Sequence, residues 1–409
     1  MSAETLAVDG GPPVRTAPFP PRRPFDEREE RLLLEAVRSQ NLFGKSGKMV
    51  PEFERRFAAF YGRRFAQSCT SGTAAIHVAV GAVNPDPGDE IITAPITDPG
   101  SVMPILQQNA VPVFADVDPR TLNMTPESIE ANITERTRAI ILVHLFGRPA
   151  PVEAVWEIAQ RHNLVLIEDC SQCHATQRFG KFAGTTGHIA AFSLQQSKQM
   201  TTGDGGMAIT DDEALYVRMK LFSDKGWDYK YMGERDHAFL APNYRMTELQ
   251  AAVGIAQLEK VRDVSLRRHA LGQYLCDLLA GVPGIETLPA EPETEVSWWN
   301  FIFHVRGFDP DEFCRRVRAE GVPLAAHYIG DPIFLRGAFL IRKVTYGRSS
   351  CPWTCGVGAR PIEYTRELVP GAVAGLESVV VFGLHEHMSE ADIEDVARAV
   401  RKVATAMAR

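Results

Sequence analysis

Lysine is scarce in this chain, and long apolar runs and an excess of positive charge are lacking. The 409 residues include 10 lysines against 34 arginines, and the formal net charge is −7. That charge argues against nucleic acid or an anionic membrane as the main partner. There is no run of 18 apolar residues, so no transmembrane helix is expected. A basic start followed by an apolar stretch is also missing, so we expect no signal peptide and a cytoplasmic protein.

Cysteines are few and irregularly spaced. The chain has seven, of which Cys170 and Cys173 form a C-x-x-C pair and Cys351 and Cys355 a C-x-x-x-C pair. A structural zinc site needs two such pairs at suitable spacing, and these two differ in spacing and lie far apart. We therefore expect no metal site and reduced cysteines. A G-x-G-x-x-G turn between a strand and a helix is likewise lacking, which argues against a Rossmann dinucleotide enzyme.

Strand-like and helix-like segments alternate over the first half of the chain. The apolar runs predict strands over 65–69, 90–94, 111–115, 138–145, 164–167, 189–194 and 207–210. Helical spacing predicts helices over 26–40, 53–61, 71–83, 102–109 and 152–162. Such alternation is typical of an α/β domain with a mostly parallel central sheet.

The rest of the chain predicts a second, smaller α+β domain. A long helical pattern covers 245–279, either as one straight helix or with a bend, and strands are predicted over 298–305 and 379–382. Between them a helix ends at residue 320, with Asp309 as its N-cap and Pro310 at its first position. A terminal helix covers 390–407. We expect an extended, proline-rich arm over 1–25, a large domain over 26–265 and a small domain over 266–409.

Lys198 lies between an apolar stretch and a glycine-rich turn, in FSLQQSKQMTTGDGG (192–206). Partial burial and neighbouring cations lower the pKa of an amine and make it nucleophilic, so this setting suits a Schiff-base lysine. An ordinary solvated lysine is the alternative, because most lysines lie on the surface. The segment alone leaves both readings open.

Two further segments carry polar groups at the ends of predicted strands. Residues 70–73 (TSGT) open a helix, where backbone N–H groups and hydroxyls can bind a phosphate or simply cap the helix. Asp169 lies at the carboxyl end of an apolar strand, and α/β proteins bind ligands at such strand ends. The alternative is that Asp169 only caps a helix or is a solvated acid. In pyridoxal phosphate (PLP) enzymes a carboxylate keeps the pyridine nitrogen protonated. The ordered set of 70–73, Asp169 and Lys198 favours a PLP site.

These segments resemble the DegT/StrS family of PLP-dependent aminotransferases, which act on keto sugars and keto cyclitols. The resemblance runs from about residue 18 to the C-terminus. It is carried by FERRFAAFYG (53–62), SGTAAIHVAV (71–80), PGDEII (87–92), IEDCSQCHA (167–175), FSLQQSK with TTGDGGM (192–207) and NYRMTELQAAVGIAQLEKV (243–261). It implies the fold of the aspartate-aminotransferase-like group and a homodimer with active sites at the subunit interface.

The resemblance also implies a role for individual residues. Lys198 would form the Schiff base and carry the proton, Asp169 would pair with the pyridine nitrogen, and Gln172 would lie near the ring hydroxyl. The residues implied to hold the phosphate are Gly72, Thr73, Ser193 and, from the second subunit, Asn243.

Four residues are candidates for substrate contact. Asp98 stands where the family usually stacks an aromatic side chain on the PLP ring, so we expect another group to cover the ring, or Asp98 to contact substrate or a polar PLP edge. The stretch with Gln195 and Gln196 resembles the family branch that aminates scyllo-inosose-like ketocyclitols. The alternative role for these two glutamines is hydrogen bonding within the segment 192–206, which we call the lysine loop. Trp227 is expected near the site because it precedes the Asn243 segment.

The expected reaction moves an amino group from L-glutamate or L-glutamine to the keto group of a cyclitol or sugar, in aminoglycoside or other natural-product biosynthesis. The alternatives are a nucleotide-ketosugar aminotransferase, an aminohydroxybenzoate-synthase-like PLP dehydratase, and a protein that binds PLP without turnover. Lys198 argues against the related sugar 3-dehydratases, which have histidine in place of the lysine.

Overall fold

The structure, a computed structural model, describes residues 4–228, 236–354 and 362–408. Its α helices are α1 (Glu27–Arg38), α2 (Met49–Tyr61), α3 (Gly72–Val83), α4 (Met103–Gln107), α5 (Pro126–Ala131), α6 (Val152–Arg161), α7 (Glu213–Phe222), α8 (Glu248–Leu258), α9 (Val261–Leu279), α10 (Pro310–Ala319), α11 (Ala338–Ile341), α12 (Pro370–Ser378) and α13 (Glu390–Met407).

The strands divide among two larger sheets and two small ones. They are β1 (Phe65–Cys69), β2 (Glu90–Thr93), β3 (Val111–Phe114), β4 (Thr137–Val143), β5 (Val165–Asp169), β6 (Gln177–Arg178), β7 (Lys181–Phe182), β8 (Ile189–Ser193), β9 (Gly206–Thr210), β10 (Trp227–Asp228), β11 (Asp236–His237), β12 (Ile285–Thr287), β13 (Thr294–Glu295), β14 (Phe301–Val305), β15 (Leu324–Ala326) and β16 (Val379–Phe382).

The central sheet has seven strands in the order β1-β9-β8-β5-β4-β2-β3. Only β9 runs antiparallel to its neighbours among these strands, and the other neighbouring pairs are parallel. Helices cover both faces, so β2, β3 and β8 are buried along their whole length. The predicted α/β fold with a mostly parallel sheet is therefore confirmed.

The parallel strands bring their carboxyl ends to one edge of this sheet. β5 ends at Asp169 and β8 at Ser193. β1 runs in the same direction and leads directly into α3, which begins at Gly72. The polar groups that the sequence marked at three strand ends therefore share one edge.

The second sheet is antiparallel, in the order β12-β14-β16-β15. Asp309 caps α10 by accepting from the Glu312 N–H, and Pro310 occupies the first helical position, as predicted. The strand predicted over 298–305 begins later, at Phe301. Trp298 has φ 39°, in the left-handed region and outside the extended backbone range of a regular strand. The domain boundary near residue 265 lies within α9 and stays a prediction.

The helical pattern over 245–279 proves to be two helices. Thr247 and Gln250 form a capping box that starts α8, which ends at Leu258, and α9 begins at Val261. The sequence also missed α5 and α7. α5 is only six residues long, and α7 buries only Met219, Leu221 and Phe222, so neither presents a strong apolar stripe.

The N-terminal arm is mostly irregular. Within the described part of the chain, residues 7–9 form a short 3-10 turn and residues 11–25 form no helix or strand. Across the described ranges, no helix has the length and apolarity needed to cross a bilayer. Five described cysteines are free and buried. Cys351 is disulfide-bonded, so the expectation of reduced cysteines is wrong there; Cys355 lies outside the described residues.

Gly254 lets α8 pack closely on α2. A Cβ atom at Gly254 would lie 2.5 Å from Cζ of Phe53, which is fully buried. Replacing a helical glycine by alanine gains about 1 kcal/mol in helix propensity, whereas overpacking a core costs roughly 1–3 kcal/mol. The Phe53 ring is fully buried and packs edge-on against Phe57, so we expect Gly254→Ala to lower the melting temperature measured by calorimetry.

Gly383→Ala is the matched control. Gly383 is exposed, and an added Cβ there meets no atom within 4 Å. Its melting temperature should stay at the wild-type value. An equal or higher melting temperature in Gly254→Ala would contradict the close helix packing.

Candidate active site

A cavity of about 360 Å³ opens at the carboxyl edge of the central sheet. Loops after β1, β2, β5 and β8 line it together with Trp299. The sequence-predicted site residues that line it are Gly72, Thr73, Asp98, Asp169, Gln172, Ser193, Gln195 and Lys198. Three others, Gln196, Trp227 and Asn243, are not among the described residues of its lining.

One end of the cavity is formed by the N-terminus of α3. Ser71 caps this helix by accepting from the Ala74 N–H at 3.0 Å, whereas the N–H groups of Gly72 and Thr73 have no acceptor within the helix. A Cβ at Gly72 would lie 2.5 Å from Cβ of Ser193, so this approach requires glycine. The helix end and the Ser193 hydroxyl thus share one corner, an arrangement that suits an anion.

Asp169 is fixed by two hydrogen bonds at the end of β5. Its Oδ2 accepts from the Ser101 hydroxyl at 2.6 Å and its Oδ1 from the Ser171 N–H at 3.0 Å. The Ser101 hydroxyl also lies 2.7 Å from the Thr97 hydroxyl. This buried chain of hydroxyls holds the carboxylate in one orientation at the cavity wall.

The Lys198 amine has an unusually low pKa. Burial lowers the pKa of this amine to about 8, and the carboxylates of Asp169 and Asp98 partly oppose that shift. Its Nζ lies 4.0 Å from the centre of the Trp299 ring. A larger share of the amine is therefore uncharged near neutral pH than for a solvated lysine, which makes it a better nucleophile.

Trp299 lines the cavity and was not identified from the sequence, whereas Tyr328, which the sequence left as an unresolved pocket candidate, contacts the lining residue Gln172. The Trp299 Nε1–H donates to the Ser197 carbonyl at 3.1 Å, beside Lys198. The Tyr328 hydroxyl accepts from Nε2 of Gln172 at 3.4 Å, and burial raises the pKa of this phenol to about 12. Both residues lie more than 100 positions from their partners, so no local pattern reveals them.

The two predicted glutamines of the cavity are engaged within the protein. Oε1 of Gln172 accepts from the Phe146 N–H at 2.8 Å. Oε1 of Gln195 accepts from the N–H and hydroxyl of Ser197 at 2.8 and 2.7 Å. The side-chain carbonyl of Gln195 therefore hydrogen-bonds within the lysine loop, which was the alternative role expected for it. Gln196 is exposed outside the lining.

Asp98 presents a carboxylate to the cavity. Its Oδ1 accepts from the Gly100 N–H at 2.8 Å and starts a short 3-10 turn over Pro99–Ser101. The side chain is exposed, and its charge raises the pKa of both Lys198 and Tyr328. Asp98 is thus a charged, accessible group close to the amine.

Asn243 and Trp227 lie together in a different region. Asn243 is exposed and its backbone pairs with Asp224. The Trp227 ring lies 4.8 Å from Nζ of Lys225 and 5.8 Å from Nζ of Lys45. Within one described chain, neither residue belongs to the cavity lining.

His144, Glu168 and Cys170 have metal-ligand atoms close together. The Ala150 N–H donates to Nδ1 of His144 at 2.9 Å, so Nε2 of His144 carries the proton and donates to Glu168, also at 2.9 Å. Glu168 further accepts from three N–H groups of the 184–187 turn. These hydrogen bonds use the lone pairs that a metal would need, and burial raises the pKa of the Cys170 thiol. The cluster is a structural network.

Comparison with known proteins identifies the family of this chain. Residues 24–401 match the model of the DegT/DnrJ/EryC1/StrS aminotransferase family. An L-glutamine:2-deoxy-scyllo-inosose aminotransferase of Streptomyces kanamyceticus is 38% identical over 80% of this chain and 81% of its own. A GDP-perosamine synthase of Caulobacter vibrioides is 40% identical over 61% of this chain and 67% of its own.

Solved structures show the same fold. An aminotransferase from Psychrobacter cryohalolentis superposes with a TM-score of 0.83 at 30% identity, over 96% of this chain and 100% of the other. A 3-amino-5-hydroxybenzoic acid synthase superposes with the same TM-score, 0.83, at 26% identity, over 96% and 100% of the two chains. The resemblance drawn from the sequence is confirmed, and the chain belongs to the DegT/DnrJ/EryC1/StrS aminotransferase family.

Proposed function

We propose that this aminotransferase uses PLP to move an amino group from L-glutamate or L-glutamine to the keto group of a cyclitol or sugar. The donor becomes a keto acid and the acceptor an amine. The observation that carries the proposal is the Lys198 amine, whose pKa burial lowers to about 8, in a cavity that also holds a fixed carboxylate and a helix N-terminus.

The residues of the cavity fit PLP. The N–H groups of Gly72 and Thr73 and the Ser193 hydroxyl suit a phosphate. The Asp169 carboxylate, held by Ser101 and the Ser171 N–H, suits a protonated pyridine nitrogen.

When bound, PLP supplies an electron sink for bond cleavage at the amino-bearing carbon. Lys198 would hold the cofactor's aldehyde carbon, and its amine is also the base that moves a proton to and from the amino-bearing carbon. Asp169 would hold the protonated ring nitrogen through a charge-assisted hydrogen bond. Trp299 covers the amine and limits its contact with water.

For the acceptor we favour a ketocyclitol of the scyllo-inosose type, in aminoglycoside or other natural-product biosynthesis. Relatives named for inosose substrates share 32–38% identity with the chain, and GDP-perosamine synthases 32–40%. The cavity wall carries several hydroxyls and carboxylates, which suit a polyol. Asp98 is proposed to accept a hydrogen bond from the acceptor. A nucleotide-linked keto sugar is the second candidate.

We further propose a homodimer in which Asn243 of one subunit reaches the phosphate of the other. Asn243 is exposed and lies outside the cavity of its own chain. A symmetric dimer would let this segment complete a site in the partner. Trp227, also predicted near the site, lies in the same region and would accompany it.

Lys198→Ala tests the proposed chemistry. Wild-type protein loaded with PLP should change its visible absorbance when L-glutamine or L-glutamate is added, and the effective amino acid identifies the donor. The variant should keep its visible absorbance instead of losing it as the wild type does, because it lacks the base that removes the proton from the amino-bearing carbon, even though the donor amine can still condense with the PLP aldehyde. Lys181→Ala, at an exposed lysine outside the cavity, should behave as wild type.

The acceptor is identified by turnover after the donor step. We expect scyllo-inosose or its 2-deoxy form to be aminated faster than a GDP-linked keto sugar. The reverse order supports the nucleotide-sugar alternative. Dehydration of a cyclic keto acid supports the aminohydroxybenzoate-synthase alternative, and no response to any donor supports a PLP-binding protein without turnover.

Asp98→Asn tests the substrate role of Asp98. Asparagine keeps the acceptor for the Gly100 N–H but removes the charge, so we expect the KM for the acceptor to rise about tenfold, as a lost charged hydrogen bond predicts. The donor step should persist. Because the Asp98 charge raises the pKa of Lys198, the variant should lower that pKa further below about 8. Unchanged acceptor KM with weakened PLP binding would instead assign Asp98 to the cofactor.

Mixed dimers test the shared site. Asn243→Ala and Lys198→Ala dimers should each have little activity. Equal mixing under subunit exchange should restore about a quarter of wild-type activity, because half of the dimers are mixed and each carries one intact site. Activity that stays at the level of the separate variants would contradict the contribution of Asn243 from a second subunit.

A further inference from the structure

Arg22, in the irregular N-terminal arm, contacts the loop that carries Lys198. Its Nη1 donates to the Gln196 carbonyl at 3.2 Å and its Nη2 to the Gln199 carbonyl at 2.9 Å. These two carbonyls lie on either side of Lys198 in the chain. The guanidinium therefore joins both ends of the segment that presents the amine, using the fixed fork geometry that lysine lacks.

The third donor of Arg22 contacts the segment between β16 and α13. Nε donates to Oε1 of Glu386 at 2.8 Å, and the other oxygen of Glu386 accepts from Nε of Arg268 at 2.8 Å. Their side chains are 15%, 8% and 2% exposed for Arg22, Glu386 and Arg268. Burial raises the pKa of Glu386, but the two arginines outweigh it and lower that pKa to about 2. The carboxylate thus stays charged between two guanidinium groups.

Arg268 links Glu386 to Trp298, the residue before the Trp299 side chain that contacts Lys198. Its Nη1 donates to the Trp298 carbonyl at 3.2 Å. Trp298 holds φ at 39°, a strained conformation for a bulky residue that persists only where neighbours enforce it. The next residue, Trp299, lies over the Lys198 amine and donates to the Ser197 carbonyl.

We propose that Arg22, Glu386 and Arg268 are positioning residues for Lys198, because they hold its loop from one side and Trp298–Trp299 from the other. The two routes meet at the single carboxylate of Glu386. The proposal rests on the function proposed for Lys198, but the position of the loop is measurable without PLP or turnover.

A simpler role for Arg22 would be to dock the arm. Arg15 provides the comparison, since it lies in the same arm and pairs with Asp392 at 2.8 Å and Asp395 at 3.0 Å on α13. Among the residues that the structure describes, Arg15 makes no hydrogen bond or ion pair with the lysine loop, and its remaining acceptors are the Ala17 and Pro18 carbonyls of the arm itself. Arg15→Gln therefore removes an arm contact of similar kind and leaves the loop untouched.

The test measures the pKa of Lys198 in the full chain freed of PLP. The rate of acylation of Lys198 by acetic anhydride is followed against pH by peptide mass spectrometry, which gives the pKa of this one amine. We expect about 8 in the wild type. In Arg22→Gln a looser loop admits water, so the pKa should rise toward its ordinary value by roughly one unit.

Arg22→Lys separates geometry from charge. It keeps the positive charge but cannot bridge two carbonyls and a carboxylate, so we expect its Lys198 pKa to rise as well. Arg15→Gln should leave that pKa at the wild-type value even if it lowers the melting temperature. The donor step of the PLP-loaded Arg22 variants should slow by roughly tenfold to a hundredfold, as a misplaced reacting group predicts.

Two results would overturn the proposal. An unchanged Lys198 pKa in Arg22→Gln would show that the arm only docks, and a shift in Arg22→Gln but not in Arg22→Lys would show that charge alone acts. Failure of the proposed function looks different: wild-type protein would ignore amino donors while the Lys198 pKa still shifted in both Arg22 variants. Glu386→Gln, if it folds, should reproduce the shift and add little to Arg22→Gln, because both act through one network.

Discussion

The parallel pairing of β5 with β8 is the constraint on which the site depends. Asp169 pairs with Ala191 in this register, and β8 ends two residues later at Ser193. The carboxylate and the hydroxyl corner therefore reach the same edge, where α3 also begins after β1. Backbone hydrogen bonds fix this register. The pairing of the strands therefore sets the spacing between the Ser193 hydroxyl and the Asp169 carboxylate.

Adjacent acids in β5 serve opposite faces of that sheet. Asp169 lines the cavity, whereas Glu168 binds His144 and the 184–187 turn that leads into β8. Neighbouring residues of a strand point to opposite faces, so Asp169 faces the cavity and Glu168 anchors the turn before the next strand. Burying the Glu168 carboxylate is unfavourable by itself, and its several hydrogen bonds compensate for that cost.

Most of the fold could be predicted because its signals are local. The strands of the central sheet, the Asp309 cap and the terminal helix follow from apolar period, N-cap chemistry and proline position. The failures also have local causes. α5 and α7 lack a strong apolar stripe, and the left-handed backbone of Trp298 shortens the strand predicted over 298–305. Glu259 and Lys260, which separate α8 from α9, carry no breaker signal, so the sequence indicated at most a bend there.

The sequence by itself determined the order of three chemical elements: a helix-opening TSGT (70–73), the strand-end Asp169 and Lys198. Only the tertiary structure decided what surrounds them. It brought Trp299 to the Lys198 amine and Arg22 to both sides of its loop, it turned the Gln195 carbonyl back onto that loop, and it left Trp227 outside the cavity. The Trp299–Ser197 and Arg22–Glu386 contacts join residues 102 and 364 positions apart and arise from packing, which leaves no periodic pattern in the chain.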